Sequence, residues 1–433
     1  MLFVFYRYIL KKYILKKLSF VLILLVTAFT SESYAQEIAS LEVELTKPAG
    51  GLDIPVSINL DRITNLSINK LNLFEITGGK IIPIPIQVDI KNERILNWII
   101  KTKNRNQKKY IFELTEGTPL KSEQITAEKK NGDLIIHTKD KNLLSYFYKT
   151  VYPPKGIDTA FKRSGFIHPL WSPHRQVLTR IQPPDHYHHY GIWDPWTHVF
   201  FEGDTVDFWN LGDKKGTVRF TDFVAIENGP VFSKYEALQK HVVFKKDGKE
   251  KTAIDELQSV KVYLPDDDQD YYIMDINIEL SCASESPVLL LKYRYGGLGW
   301  RATEEWNNKN SEVLTSEGKT RKDADGSKAS WCIVQGAVNN GKDFAGIDWL
   351  SYPSNYNSPE PLRIWPEKQN GRGDVFANFS PTKDKDWLLE PGKKYLLRYR
   401  FIVFNNHFTK EKAESAWQYY ANPPVVNVKL FQK

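Results

Sequence analysis

In the stretch YIMDINIELSC, Tyr272 to Cys282, the apolar residues Met274, Ile276, Ile278, Leu280 and Cys282 alternate with the polar residues Asp275, Asn277, Glu279 and Ser281. Successive side chains of a strand point to opposite faces, so a period of two over this length predicts one buried face and one wet face. The same texture recurs from Thr217 to Ile226, Phe232 to Phe244, Ile254 to Leu264, Val288 to Tyr295, Ser330 to Val338, Phe344 to Leu350 and Tyr395 to Phe404. Helical periodicity does not intervene, so the expected architecture is long antiparallel strands in sheets packed face to face.

Upstream, from Ile38 to about Thr115, the apolar runs are shorter, and Gly50-Gly51, Gly78-Gly79, Pro83 and Pro85 punctuate them. Such punctuation predicts a small β-sandwich. One helix is expected, from about Lys410 to Tyr420, with Thr409 as N-cap and Asn422-Pro423-Pro424 as terminator. The expected organisation is therefore mainly β. Residues 1–35 precede the fold, 36–123 form an accessory β-sandwich, 124–408 form a large antiparallel β-sandwich, and 409–433 supply a C-terminal helix and tail.

Residues 1–35 read as a cleaved export signal. Arg7, Lys11, Lys12, Lys16 and Lys17 precede the apolar run Leu18 to Val26, and Ser33 and Ala35 give the small-x-small pattern before Gln36. The run is shorter than the roughly 20 residues of a membrane span. A periplasmic or secreted location is expected, with no membrane insertion once the signal is removed. Of the +7 formal charge, five bases and one acid in this segment supply +4, which leaves +3 for the rest. That balance does not favour nucleic acid as a partner. The basic runs Lys101 to Lys109 and Lys245 to Lys251 read as solvated hairpin tips. Cys282 and Cys332, the two cysteines, lie in strand-like stretches where a small buried hydrophobe is the common role.

Six of the nine histidines fall between His168 and His198. The centre of the crowd reads PPDHYHHYGIWD, Pro183 to Asp194. In an extended chain His186 and His188 share one face and His189 takes the other; in a loop after the proline pair all three converge. Three roles are open. An imidazole titrates near neutrality, and a carboxylate such as Asp185 or Asp194 can fix its tautomer, which suits proton transfer. Neutral imidazoles with a carboxylate also make a zinc or non-haem iron ligand set. The third role is packing against Tyr187, Tyr190 and Trp193.

A second cluster, GGLGWRATEEW from Gly296 to Trp306, follows a strand. Its expected roles are sugar stacking for Trp300 and Trp306, anion binding for Arg301, and partner carboxylate for Glu304 or Glu305. A third stretch, Arg363 to Asp374, contains an Arg-Gly-Asp tripeptide, read as coincidence.

Four segments in order, SGFIHPLWSPHRQVLT, PPDHYHHYGIWDPWT, GLGWRATEEWNNKNSEVLTSEGKTRKDADG and RIWPEKQNGRGDVFANFSPTKDKDWLLEPG, resemble the PmoA-like family of uncharacterised bacterial exported proteins, over about Phe161 to Phe404. The methane-oxygenase sense of that label is not carried over, because monooxygenase subunits of that name span membranes many times and this chain has no apolar run after its first. The resemblance implies a β-rich carbohydrate-active protein, with a supersandwich similar to galactose mutarotase by analogy. The leading expectation is an enzyme acting on oligosaccharides of plant or algal polysaccharide, as a lyase or dehydratase, hydrolase or epimerase. Its expected catalytic groups are His186, His188, His189, Asp194 and Glu304, with Trp300, Arg301, Trp306 and His168 binding substrate and no cofactor. The alternatives are a carbohydrate-binding envelope protein without catalysis, and a metal-dependent enzyme holding one divalent ion at His186 and His188.

Overall fold

The computed structural model describes residues 36–90, 92–103, 107–267 and 269–431. The expected signal, residues 1–35, lies outside the described residues. Among those described, no helix is long and apolar enough to cross a membrane.

Tyr271–Cys282 is the central element the alternation predicts. It lies in an eight-stranded antiparallel sheet between Glu250–Tyr263 and Lys394–Asn405. Met274, Ile276, Ile278 and Leu280 are fully buried, whereas on the opposite face Asp275 pairs with Arg400 at 2.7 Å. The inner face packs against a nine-stranded sheet that includes, in spatial order, Glu360–Ile364, Phe376–Phe379, Gly299–Arg301, Ile192–Trp193, Phe166–Leu170 and Asn142–Phe147. Both faces of this second sheet are covered. Ile167, Ile192, Trp300 and Ala377 point into the main core. Phe166, Trp193 and Phe376, one residue out of phase, point outward and join Tyr190, Trp209, Leu211 and Trp365 in a smaller aromatic core. Loops roof that outer core.

The N-terminal sandwich packs a five-stranded sheet on the three strands Ile54–Asn59, Arg94–Ile100 and Gln87–Ile90, with Leu41, Val56, Trp98 and Phe112 buried between them. Its edge strand is Val426–Leu430, antiparallel to Glu37–Glu44 with Val43 opposite Val426. The segment read as a tail is thus a strand. Its run VNVKL alternates, but five residues gain stability only from a neighbour, and that neighbour is nearly 400 residues away in sequence.

The helix forms at Lys410–Ala421 as its cap predicts, with the Thr409 side chain accepting from the Lys412 amide. It lies between the two units. Tyr419 enters the small core, and Ala413, Ala416 and Tyr420 pack with Trp331, Leu350 and Phe404. Both cysteines are free thiols.

Candidate active site

The histidine segment reaches the outer aromatic core as a tight series of turns. Ile181 and Tyr190 form a bridge, and within it the His186 amide donates to the Pro183 carbonyl at 2.8 Å and the His189 amide to the His186 carbonyl at 3.0 Å. Gly191 then brings the chain onto the strand Phe166–Leu170. Its φ is +61°, and a Cβ there would stand 2.2 Å from the Ile167 carbonyl oxygen, so no side chain fits. Turns rather than extension make all three imidazoles converge. Ring centroids are 5.3 Å apart for His186 and His188, 4.7 Å for His186 and His189, and 4.8 Å for His188 and His189. One nitrogen of each ring lies within 4.8 Å of one nitrogen of the others.

The floor beneath them is aromatic. His189 lies 5.1 Å from Trp193, 5.5 Å from Trp365 and 5.4 Å from Phe376, centroid to centroid, and His186 is 4.9 Å from Trp365. On one side stands Asp185, whose Oδ2 accepts from His186 Nδ1 at 2.7 Å, Arg301 Nη2 at 2.9 Å and Asn370 Nδ2 at 2.6 Å. Arg301 Nη2 also donates to Asp374 at 3.0 Å, and its guanidinium lies 4.6 Å above Trp365. Asp185 is therefore immobilised by a buried cation, and it holds the His186 ring so that Nε2 is the nitrogen left over.

This environment sets the charges. Burial, reinforced by His186, pushes His188 down to about 4, and burial drives His189 well below the ordinary imidazole range. At pH 7 a group titrating at about 4 is protonated in roughly one molecule in a thousand. A neutral imidazole such as that of His188 offers one lone pair and keeps one N–H. Asp185 pays a burial penalty, yet His186 and Arg301 hold its carboxyl below the usual range.

Several expected site residues lie elsewhere, for identifiable reasons. GGLGWRATEEW is not a free loop, because Gly299–Arg301 is a central strand of the nine-stranded sheet. Alternation then sends Trp300 into the main core and Arg301 to the opposite face, beside Asp185. Trp300 and Trp306 are both 0% exposed and meet edge to face at 5.8 Å, so neither is a stacking platform for a sugar. Glu304 is exposed and pairs with Arg180 at 3.0 Å rather than with a histidine. His168, on the outer face, shares a hydrogen bond with Thr179 Oγ1 at 2.9 Å, and burial lowers it to about 4. Nor does the wider histidine crowd meet in one place: His174 sits between Asp343 and Asp270, and His198 stacks on Tyr293 at 3.9 Å.

Asp194 follows Trp193 by one residue and so faces inward, away from the three imidazoles. It belongs to a second, fully enclosed group with His241 and Glu256 between the two sheets. There His241 Nε2 is 2.7 Å from Glu256 Oε2, and Gln239 donates to the other carboxylate oxygen at 3.0 Å. Burial pushes both carboxyls up, and the charge of Glu256 adds to the rise at Asp194.

Conversely, the Arg363 to Asp374 stretch reaches the site, supplying Trp365, Asn370 and Asp374. Its Arg-Gly-Asp run places Asp374 on Arg301 and Arg372. Only the density of polar and aromatic residues in that stretch signalled such a role.

A family model described as a family of unknown function (DUF6807) matches residues 134–418. No curated protein matches the sequence. Among solved structures, the chain is similar to a protein in the glycosyl hydrolase family 38 from Enterococcus faecalis, at 8% identity and a TM-score of 0.44, covering 92% of this chain and 49% of that one. It is also similar to an alpha-mannosidase from Enterococcus faecalis V583, at 8% identity and a TM-score of 0.45, covering 92% and 47%. The chain spans about half the length of these solved chains.

Proposed function

We propose that this chain, which belongs to the DUF6807 family, is an exported carbohydrate-active enzyme whose reaction centre is the histidine cluster on the outer face of the nine-stranded sheet. The observation that carries this reading is the convergence of His186, His188 and His189 on an aromatic floor beside the Asp185–Arg301–Asp374 chain. Desolvating imidazoles and burying a guanidinium each costs free energy that apolar packing does not return. Groups arranged at such a cost, with His188 and His189 pushed down by burial and a partly exposed edge at His186 and His188, are the mark of a working site. The four segments that resemble the PmoA-like family fall within residues 134–418 and supply every residue of the cluster. That resemblance, with hydrogen-bonding groups set among aromatic rings, is the support for a sugar substrate.

The chemistry that suits the cluster is polar bond cleavage or formation, by hydrolysis, elimination or epimerisation. The imidazoles serve in proton transfer or as ligands, and Asp185 with Arg301 keeps His186 in place.

The test is incubation of the protein, and of a His186→Ala, His188→Ala double variant, with a panel of neutral and uronic-acid-containing oligosaccharides. Products are followed by mass spectrometry and by absorbance near ~235 nm, where unsaturated uronates absorb. Conversion by the parent and not by the variant is expected. Conversion by both would remove the cluster from the reaction, and glycan binding without conversion would leave a binding protein.

A further inference from the structure

We infer that His186, His188 and His189 are the three protein ligands of one divalent cation of the zinc class. This rests on the reading of the cluster as the reaction centre, and it names what the cluster works through.

The first ground is geometric. An ion equidistant from three nitrogens at the 4.8 Å limit would lie about 2.8 Å from each, whereas zinc–nitrogen bonds are about 2.0–2.1 Å. The rings need to draw in by less than about 1 Å, which small side-chain rotations supply without moving the backbone turns.

The second ground is the hydrogen bonding of the rings. A metal-bound histidine almost always gives its other nitrogen to a carboxylate, a carbonyl or water, and His186 gives Nδ1 to Asp185 in that way. His189 Nδ1 is buried without a hydrogen-bond partner, although His189 itself is only 1% exposed. A buried imidazole nitrogen left without a partner costs about 1–3 kcal/mol unless something binds it. The cluster thus has a buried nitrogen without a protein partner on His189, and a carboxylate of fixed position behind His186.

The third ground is the surroundings. Trp193, Trp209, Trp365 and Phe376 pack around His189, a low-dielectric shell on the protein side, while His186 and His188 are only partly buried. Three ligands with one side open is the catalytic arrangement of zinc, and three imidazole nitrogens suit zinc better than magnesium or calcium, which take oxygen ligands. An ion held so lowers the pKa of a bound water to about 7.

The enclosed group of Asp194, His241 and Glu256 also leaves an imidazole nitrogen, His241 Nδ1, without a partner, but all three residues are fully buried, so that group has no side open to a substrate. The cationic Arg163 interacts there with both carboxylates.

The experiment uses untagged protein lacking residues 1–35, stripped with a chelator and dialysed against zinc. Metal content is read by mass spectrometry, affinity by calorimetry, and the ligand field by the visible spectrum after cobalt substitution. One ion per chain is expected, with a four- or five-coordinate cobalt spectrum. His188→Ala should lower affinity at least about 100-fold, more than loss of an outer-shell group does. His407→Ala, on an exposed ring stacked on Phe344, should leave affinity unchanged and controls for adventitious binding.

Absence of a stoichiometric ion would overturn the inference, and so would binding indifferent to His188→Ala. The outcomes also separate the two proposals. Metal bound without any glycan conversion sinks the enzymatic reading and leaves the metal site, whereas full conversion by protein that takes up no stoichiometric ion does the reverse.

Discussion

Replacing Trp300 by alanine separates a core residue from a sugar platform, because the two roles predict opposite losses. The indole is 0% exposed between the two sheets. Truncating a buried aromatic side chain to alanine costs about 3–5 kcal/mol in transfer and cavity terms. Its Nε1 donates to the Leu178 carbonyl at 2.9 Å, and stranding that carbonyl adds about 1–3 kcal/mol. Loss of the edge-to-face contact with Trp306 at 5.8 Å adds about 0.5–1.5 kcal/mol. These terms overlap, so a net loss of about 5 kcal/mol is expected, a large share of the ~5–15 kcal/mol that holds a domain together. Trp300→Phe retains most of the packing and should lose about 2–3 kcal/mol. The assay is urea unfolding followed by circular dichroism, with glycan affinity measured by calorimetry on the folded protein. A Trp300→Ala variant of unaltered stability and weakened glycan binding would refute the core assignment.

Asp185→Ala should act in the opposite sense. Arg301 and Asn370 retain Asp374 at 3.0 and 3.2 Å, but His186 loses the acceptor at its Nδ1. Stability should fall by only about 2 kcal/mol, while zinc affinity or turnover falls about 10–100-fold; calorimetry beside urea unfolding measures both, and an unchanged affinity would argue against a positioning role. Glu360 is fully buried, and burial raises its carboxyl to about 7 against hydrogen bonds from Ser351, Asn355 and Tyr399. Its folded value is above its unfolded value near 4.5, so its contribution is complete below about pH 4.5 and is lost as pH rises through 7. The loss is about 3 kcal/mol at 1.36 kcal/mol per unit. The gap in unfolding free energy between parent and Glu360→Gln should shrink by that amount from about pH 4.5 to 8.5, and a pH-independent gap would contradict the assignment. Deletion of residues 422–433 removes the strand paired with Glu37–Glu44 and bares a sheet edge. Hydrogen exchange should then quicken in residues 39–43 and not in the large sandwich, and equal protection throughout would show the strand to be dispensable.

The polar half of the site was legible in part. The crowd of imidazoles after Pro183-Pro184 converges in the structure, and Arg301, expected to bind an anion of the substrate, lies beside Asp185 and Asp374, whereas its neighbour Trp300 is in the main core. The error at Trp300 has a simple origin: three glycines, Gly296, Gly297 and Gly299, stand before it, and a three-residue strand between two others carries too few residues to announce its period. Once the segment is a strand, adjacent residues must face opposite ways, so Trp300 and Arg301 cannot both line one site. Asp194 fails for the same reason, one residue beyond Trp193. Trp365, Asn370 and Asp374 were passed over because the partners that place them in the site, Asp185, His186, His189 and Arg301, are tens of residues or more away in sequence.

By itself, the sequence determined the β architecture, the helix with its cap, and the histidine-rich segment, because period-two alternation, capping and turn residues act over a few neighbours. The tertiary structure alone decided which face of each short strand became the site, how the last strand closed the first sheet, and that three imidazoles met one another with one of them on Asp185. Those outcomes depend on pairings between residues tens to hundreds of positions apart, and a one-residue change of register would reverse every one of the faces.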